Sequence, residues 1–163
     1  MVPQARTRPA RRGPLTLYLL DTNIVSADAP SKRSVGPDAF SAWVRANGER
    51  LYISTVTVAE IEAGIARAIR IGATTKARRL RHWLAAVEHF YAGRILPFGI
   101  GEAREAGAML DRARAHDPGF EDIAIAATAA AHGLTVLTAN ERHFGPLGVA
   151  VVNPLKQLPQ VST

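Results

Sequence analysis

The sequence predicts an α/β fold of three layers, with helices on both faces of a mostly parallel sheet of four to five strands. Three observations lead there. Short apolar runs at 17–20, 51–53, 94–96, 135–137 and 150–152 alternate with longer stretches of helical periodicity, the order that builds parallel strands joined by helical crossovers. The first run, Leu17-Tyr18-Leu19-Leu20, is apolar at every position, as in strands buried on both faces. Hydrophobic residues make up 47% of the 163-residue chain and none is cysteine, so one domain of this length closes its core without disulfides. The missing cysteines also exclude a thiolate zinc site and a cysteine nucleophile.

Asp21-Thr22-Asn23 stops the first strand, and a short helix is expected over about 23–27. A second helix begins at Pro37-Asp38, carries Phe40, Trp43 and Val44 inward, and ends at Asn47-Gly48. After the strand at 51–53, residues 54–57 lead into a helix with Val58, Ile61 and Ile65 on one face. Gly72 breaks it, and a further helix over about 74–91 turns Leu80, Trp83, Leu84 and Val87 inward. The strand at 94–96 precedes a helix over about 102–115, and the turn Asp117-Pro118-Gly119 starts another over 121–131. That last helix is alanine-rich and apolar nearly all round, which predicts deep burial. Gly133 caps it, the fourth strand follows at 135–137, and the last runs over 150–152. No linker divides the chain. The expected organisation is a basic, disordered arm or an upstream translation start over 1–14, one domain over 15–158, and a tail over 159–163.

The formal charge is +6, and its distribution is uneven. Arg6, Arg8, Arg11 and Arg12 crowd the first twelve residues beside Pro3 and Pro9, while Arg67, Arg70, Lys76, Arg78, Arg79 and Arg81 occupy a stretch with no acid. Solvated helix faces often look like this, but a one-signed stripe also concentrates polyanions, nucleic acid first among them. The apolar run after Arg11-Arg12 is too short for a secretion signal, and no apolar stretch approaches a membrane span. The expected setting is the cytoplasm.

In an open α/β sheet, ligands bind outside the carboxyl ends of the strands. Asp21 directly follows the first strand, Glu60 lies in the first turns of the helix after the second, and Asp122 opens the helix that leads into the fourth. Asn140 comes just after that fourth strand. Each acid has an adequate local explanation. Asp21 suits a helix N-cap, Thr57-Val58-Ala59-Glu60 reads as a capping box, and Asp122 complements a helix dipole. Their convergence is harder to explain locally, since two carboxylates about 5 Å apart repel by roughly 3 kcal/mol at an effective dielectric near 20. Such a group raises its pKa values or recruits a cation. Oxygen ligands favour Mg2+ or Mn2+ over zinc, and such an ion activates water against a phosphodiester.

At these residues the chain resembles the PIN-domain ribonuclease toxins of the VapC family, in their FitB-like branch. The resemblance is carried by the stretches at 19–26 and 54–64, by Gly93-Arg94-Ile95-Leu96-Pro97-Phe98, by 122–129, by Leu137-Thr138-Ala139-Asn140 with His143-Phe144 behind it, and by Val151-Val152-Asn153-Pro154. Together they span about 17–155. The resemblance implies a PIN-like fold and a Mg2+-dependent endoribonuclease, with Mn2+ able to substitute. It also implies a toxin of a type II toxin–antitoxin system, usually a homodimer, held by a VapB-like antitoxin in a heterotetramer or larger assembly. It matches Asp21 and Asp122 to the principal metal-binding aspartates, Glu60 to the second acid, and Thr22 and Asn23 to the polar pair that supports Asp21. Thr138 is a further supporting residue. Asn140 stands where the family often has a fourth aspartate, and brings a carbonyl without charge. Gly99 stands where relatives commonly carry an acid. Glu121 is read as surface helix. Arg67, Arg70, Arg78 and Arg79 are candidates for RNA backbone contacts.

Other signals are set aside. The histidines His82, His89, His116, His132 and His143 lack ligand spacing; His132 suits a helix C-terminus, and His143, three residues past Asn140, could approach the site but is discounted. Gly99 and Gly101 make no phosphate loop, Ser26, Ser34, Ser41 and Ser54 lack a nucleophile elbow, and Trp43 and Trp83 read as core or dimer contacts. Two rival functions remain in view. A non-catalytic RNA- or protein-binding module on the same fold has Asn140 in its favour. A phosphohydrolase would want an acid where Asn23 stands, and a phosphotransfer receiver a lysine that 134–140 does not offer.

Overall fold

The computed structural model describes residues 15–29 and 38–160; the expected basic arm over 1–14 and the last three residues lie outside them. The described elements are β1 (Tyr18–Leu20), α1 (Thr22–Val25), α2 (Asp38–Ala46), β2 (Leu51–Ser54), α3 (Thr55–Arg70), α4 (Thr74–Phe90), β3 (Ile95–Leu96), α5 (Ile100–Arg112), α6 (Phe120–His132), β4 (Thr135–Leu137), α7 (Glu141–Phe144) and β5 (Val151–Val152). The five strands form one sheet in the order β3-β2-β1-β4-β5, and every pairing is parallel, from Tyr18 against Leu51 to Leu137 against Val152.

Strand β1 divides the core in two. Tyr18 and Leu20 face one cluster with Phe40 and Trp43 of α2, Ile61 and Ile65 of α3, and Leu80, Leu84 and Val87 of α4. Leu19 faces the other, with Ala106 and Met109 of α5, Ile123, Ala126 and Ala127 of α6, and Phe144 of α7. This is the three-layer arrangement that continuous apolar strands require. Every residue from Ile123 to Ala129 is buried, so the alanine-rich helix is enclosed as its composition predicts. Gly133 ends it at φ +64, a left-handed conformation that glycine adopts without a Cβ clash.

Helix starts and the region after β4 depart from the sequence reading. Helix α3 starts at Thr55 with Ser54 as its N-cap, the Val56 N–H donating to Ser54 Oγ at 3.1 Å. Thr57 is therefore an interior, fully buried helical residue, and the expected capping box does not form. Helix α1 begins at Thr22, one residue early, and continues into a 3-10 turn at Ser26–Asp28. Helix α7 and the 3-10 turn Gly145–Leu147 fill a stretch to which the sequence reading assigned no element, and Phe144 and Leu147 are both fully buried there. Among the described residues no helix is long and apolar enough to cross a membrane.

What matters for the site is where the sheet reverses. From β1 the chain builds outward through β2 and β3, then returns to place β4 and β5 on the other side of β1. The crevice beyond the carboxyl ends of β1 and β4 is thus the topological switch point, the place where open α/β sheets bind ligands.

Candidate functional site

Asp21 is the first residue past β1 and Thr138 the first past β4, and the two meet across the switch point. The Asp21 N–H donates to Leu137 O at 2.9 Å, which pins the chain there. Its carboxylate is an N-cap as expected, accepting from the Thr22 N–H at Oδ1 (2.7 Å). It also accepts from Asn23 Nδ2 at 2.6 Å and from the Thr138 hydroxyl at 2.7 Å, both at Oδ2. Thr138 is buried, and its oxygen in turn accepts from the Asn140 N–H at 2.9 Å. The Ala139 N–H donates to Asn23 Oδ1 at 3.1 Å. Asp21 is thereby fixed from both strands.

Glu60 reaches the same crevice from the second turn of α3. The Thr22 hydroxyl donates to Glu60 Oε2 and is hydrogen-bonded to the Thr57 hydroxyl at 3.2 Å. Asp122 comes from the first turn of α6, where the helix N-terminus favours negative charge. Its Oδ2 lies 2.8 Å from His143 Nδ1, and the Asn140 amide nitrogen lies 2.7 Å from that same ring nitrogen. One continuous polar chain therefore runs from Glu60 through Thr22, Asp21, Thr138, Asn140 and His143 to Asp122. His143 is the member that the sequence reading set aside. Its signal was there: it sits three residues past Asn140, one helical turn along, on a helix too short for periodicity to expose.

The acids perturb one another. Burial pushes the Asp21 carboxyl above the usual aspartate range, the hydrogen bonds from Thr138, Thr22 and Asn23 pull it back, and the charge of Asp122 pushes it up again. Glu60 is likewise raised, by burial first and then by the charges of Asp21, Glu121 and Asp122 against the Thr22 hydrogen bond. Among the described residues no lysine or arginine forms an ion pair with Asp21, Glu60 or Asp122. A cationic ligand fits such a set. No three His, Asp or Glu side chains among the described residues stand close enough to form a ready-made cage. Mg2+ does not require one, because it is ordinarily held by one or two carboxylates with water and phosphate oxygens completing the shell.

The remaining candidates lie elsewhere. Arg67 and Arg70 occupy the last turn of α3 and Arg78 and Arg79 the first half of α4, all exposed. The structure does not bring them into the acid crevice. Arg67 is seven residues from Glu60 along α3, about 10 Å of helical rise. Glu121 is exposed, yet its charge is felt at Glu60. Trp43 is core, stacked on Phe40 with its ring centroid 6.4 Å away and its indole N–H donating to Pro159 O at 3.2 Å. Trp83 is half-buried against the same cluster. His132 ends α6 as expected and binds Glu102 of α5 at 2.8 Å.

Comparisons with known proteins agree with this architecture. The family profile described as PIN domain matches residues 18–145. The plasmid stability protein StbB of Pseudomonas syringae pv. tomato and the VapC ribonuclease Y4jK of Sinorhizobium fredii are each 35% identical over 144 residues, which is 85% of this chain and 98% and 97% of theirs. Toxin FitB of Neisseria gonorrhoeae is 34% identical over 146 residues, 85% of this chain and 98% of its own. The crystal structure of FitAcB from that organism superposes with a TM-score of 0.70 at 34% identity, covering 85% of this chain and 98% of that one.

Proposed function

The chain belongs to the PIN-domain family, and from that premise we propose that it is a Mg2+-dependent endoribonuclease acting as the toxin of a type II toxin–antitoxin system. The observation that carries this reading is the single polar chain joining Glu60, Asp21 and Asp122 at the switch point, with none of its acids ion-paired to a lysine or arginine among the described residues. Names borne by the relatives, a ribonuclease in one case and a toxin in another, support it.

In this reading Asp21 and Asp122 hold the ion, with Glu60 beside them. Bound there, Mg2+ supplies positive charge to a phosphodiester and activates water for its hydrolysis. The protein's contribution is orientation. Thr138 and Asn23 fix the Asp21 rotamer through Oδ2, and Thr22 steers Glu60 by its hydroxyl while its N–H holds Asp21 Oδ1. Asn140 is the fourth member of the site and adds a polar group without charge. Arg67, Arg70, Arg78 and Arg79 attract the RNA backbone. The nuclease domain spans 15–158, the working form is a homodimer in the cytoplasm, and a VapB-like antitoxin restrains it in a heterotetramer or larger complex.

The test is cleavage of total RNA with and without Mg2+, with the cut ends mapped. Asp21→Asn and Asp122→Asn are expected to lower Mg2+-dependent cleavage at least about a hundredfold, since loss of a residue that merely supports a ligand already costs tenfold to a hundredfold, and to remain folded. Cleavage at the parent rate by either variant would end this assignment. Because Asn140 carries no charge, a non-catalytic binding module is the second reading. It is the one favoured if Mg2+ leaves the parent's melting temperature unchanged.

A further inference from the structure

We infer that His143 belongs to the ion-binding set and biases it from Mg2+ towards Mn2+ and other ions that accept an imidazole nitrogen. The inference rests on the nuclease reading above and specifies which ion that site prefers.

The argument begins with one atom. His143 Nδ1 has two polar neighbours, Asp122 Oδ2 at 2.8 Å and the Asn140 amide at 2.7 Å. A ring nitrogen carries either a proton or a lone pair, never both. In the tautomer that places the N–H on this nitrogen it points to the Asp122 carboxylate, and the Asn140 amide, turned end for end, brings its carbonyl oxygen to the same proton. That proton stands among a carboxylate oxygen, an amide oxygen and an imidazole nitrogen, three groups that all bind divalent cations.

The spacing suits an ion in the proton's place. Two ligands at right angles on one ion, each about 2.1 Å from it, are about 3 Å apart. The observed separations of 2.7 and 2.8 Å are of that size, so the three groups are already spaced as ligands of one ion, and rotation of the ring, the carboxylate and the amide about their own side-chain bonds would aim their lone pairs at it. The His143 and Asp122 side chains retain 51% and 21% of their exposure, which leaves the position open to solvent and substrate. Charge points the same way. Asn140 and a neutral His143 contribute no negative charge, and that weakens Mg2+, whose binding depends most on hard anionic oxygens. An imidazole nitrogen favours the transition metals in compensation.

The experiment uses the full chain, without a histidine tag, and Mn2+ as the probe. Pulsed electron paramagnetic resonance of the Mn2+ complex is expected to reveal nitrogen-14 coupling in the parent and none in His143→Asp. Parent protein carrying nitrogen-15 histidine should show the coupling replaced by that of the heavier isotope, a control that does not depend on any variant folding. Competition titration is expected to give a Mn2+-to-Mg2+ affinity ratio about tenfold lower in His143→Asp than in the parent. Mn2+ bound to the parent without nitrogen coupling, or a ratio unchanged by the substitution, overturns the role of His143 and leaves the nuclease reading standing. Failure of Mn2+ and Mg2+ alike to bind the parent overturns both.

Discussion

Glu60 shows most directly how a residue at this site trades stability for charge. Burial, and then the charges of Asp21, Glu121 and Asp122, raise its carboxyl above the ordinary glutamate value of 4.5. The folded chain therefore keeps a proton that the unfolded chain has already released. In that interval the native state binds more protons, so the stability contribution is complete below the ordinary value and is lost as pH rises through the folded one. At neutral pH the ion-free protein carries the penalty. Glu60→Gln keeps an oxygen for the Thr22 hydroxyl and removes the charge. In EDTA at pH 7 it should melt above the parent by on the order of 1–2 °C, with the gain vanishing near pH 4. Divalent ion reverses the order. At a hundred times its dissociation constant it adds about 2.7 kcal/mol to the parent, roughly 5–10 °C for a chain of this size, and the variant should gain far less. Scanning calorimetry over pH 4–8, with EDTA and with Mg2+, reads both. A variant that melts below the parent at pH 7 in EDTA would mean that burial and the neighbouring charges do not penalise this carboxylate.

At the scale of elements, the sequence disclosed where the acids sit better than why they point as they do. Asp21, Glu60 and Asp122 were legible because each follows or precedes an apolar run whose type is unmistakable. The local role of Glu60 was not, because Thr57-Val58-Ala59-Glu60 carries a capping signature that the structure does not use. Strand β2 runs one residue further than its apolar core, so Ser54 takes the cap and the helix starts two residues before Thr57. Glu60 is thereby released to meet Thr22. Ser54→Ala should remove the cap, at a cost of about 1 kcal/mol and about 2–4 °C in melting temperature. It should also speed amide exchange in the first turn of α3. Thr57→Ser keeps the hydroxyl near Thr22 and should leave that exchange as it was. Equal exchange in the Ser54→Ala chain and the parent would return the cap to Thr57. Helix α7 escaped notice for a related reason. At four residues it is barely one turn, too short for a repeating apolar pattern to show, and only the burial of Phe144 reveals why it forms.

For the whole molecule, charge is separated along α3. Its first turns face the acid crevice, and its last turn, with the start of α4, gathers Arg67, Arg70, Arg78 and Arg79, none of them ion-paired among the described residues. Between Glu60 and Arg67 on the same flank stands Gly64, exposed, with open space where a side chain would be. In the proposed reading, an extended polyanion held at the acids would pass Gly64, where no side chain projects, on its way to the arginines. The consequence is a salt dependence of known form. Each phosphate of a single strand neutralised by a side chain contributes about −0.7 to the slope of log affinity against log salt concentration. Four such contacts give about −2.8, and the double change Arg67→Ala with Arg70→Ala should reduce the slope by about 1.4 in magnitude. Because phosphate contacts position the strand without reading its bases, affinity should fall alike for RNAs of different sequence and the mapped cleavage sites should stay where they are. Binding of labelled RNA to Asp122→Asn protein between 50 and 200 mM KCl, with and without the double change, measures the slope free of turnover. A slope that the arginine changes leave untouched would place the RNA on another face of the molecule. A shift in the cleavage sites would mean that these arginines read bases as well as hold the backbone.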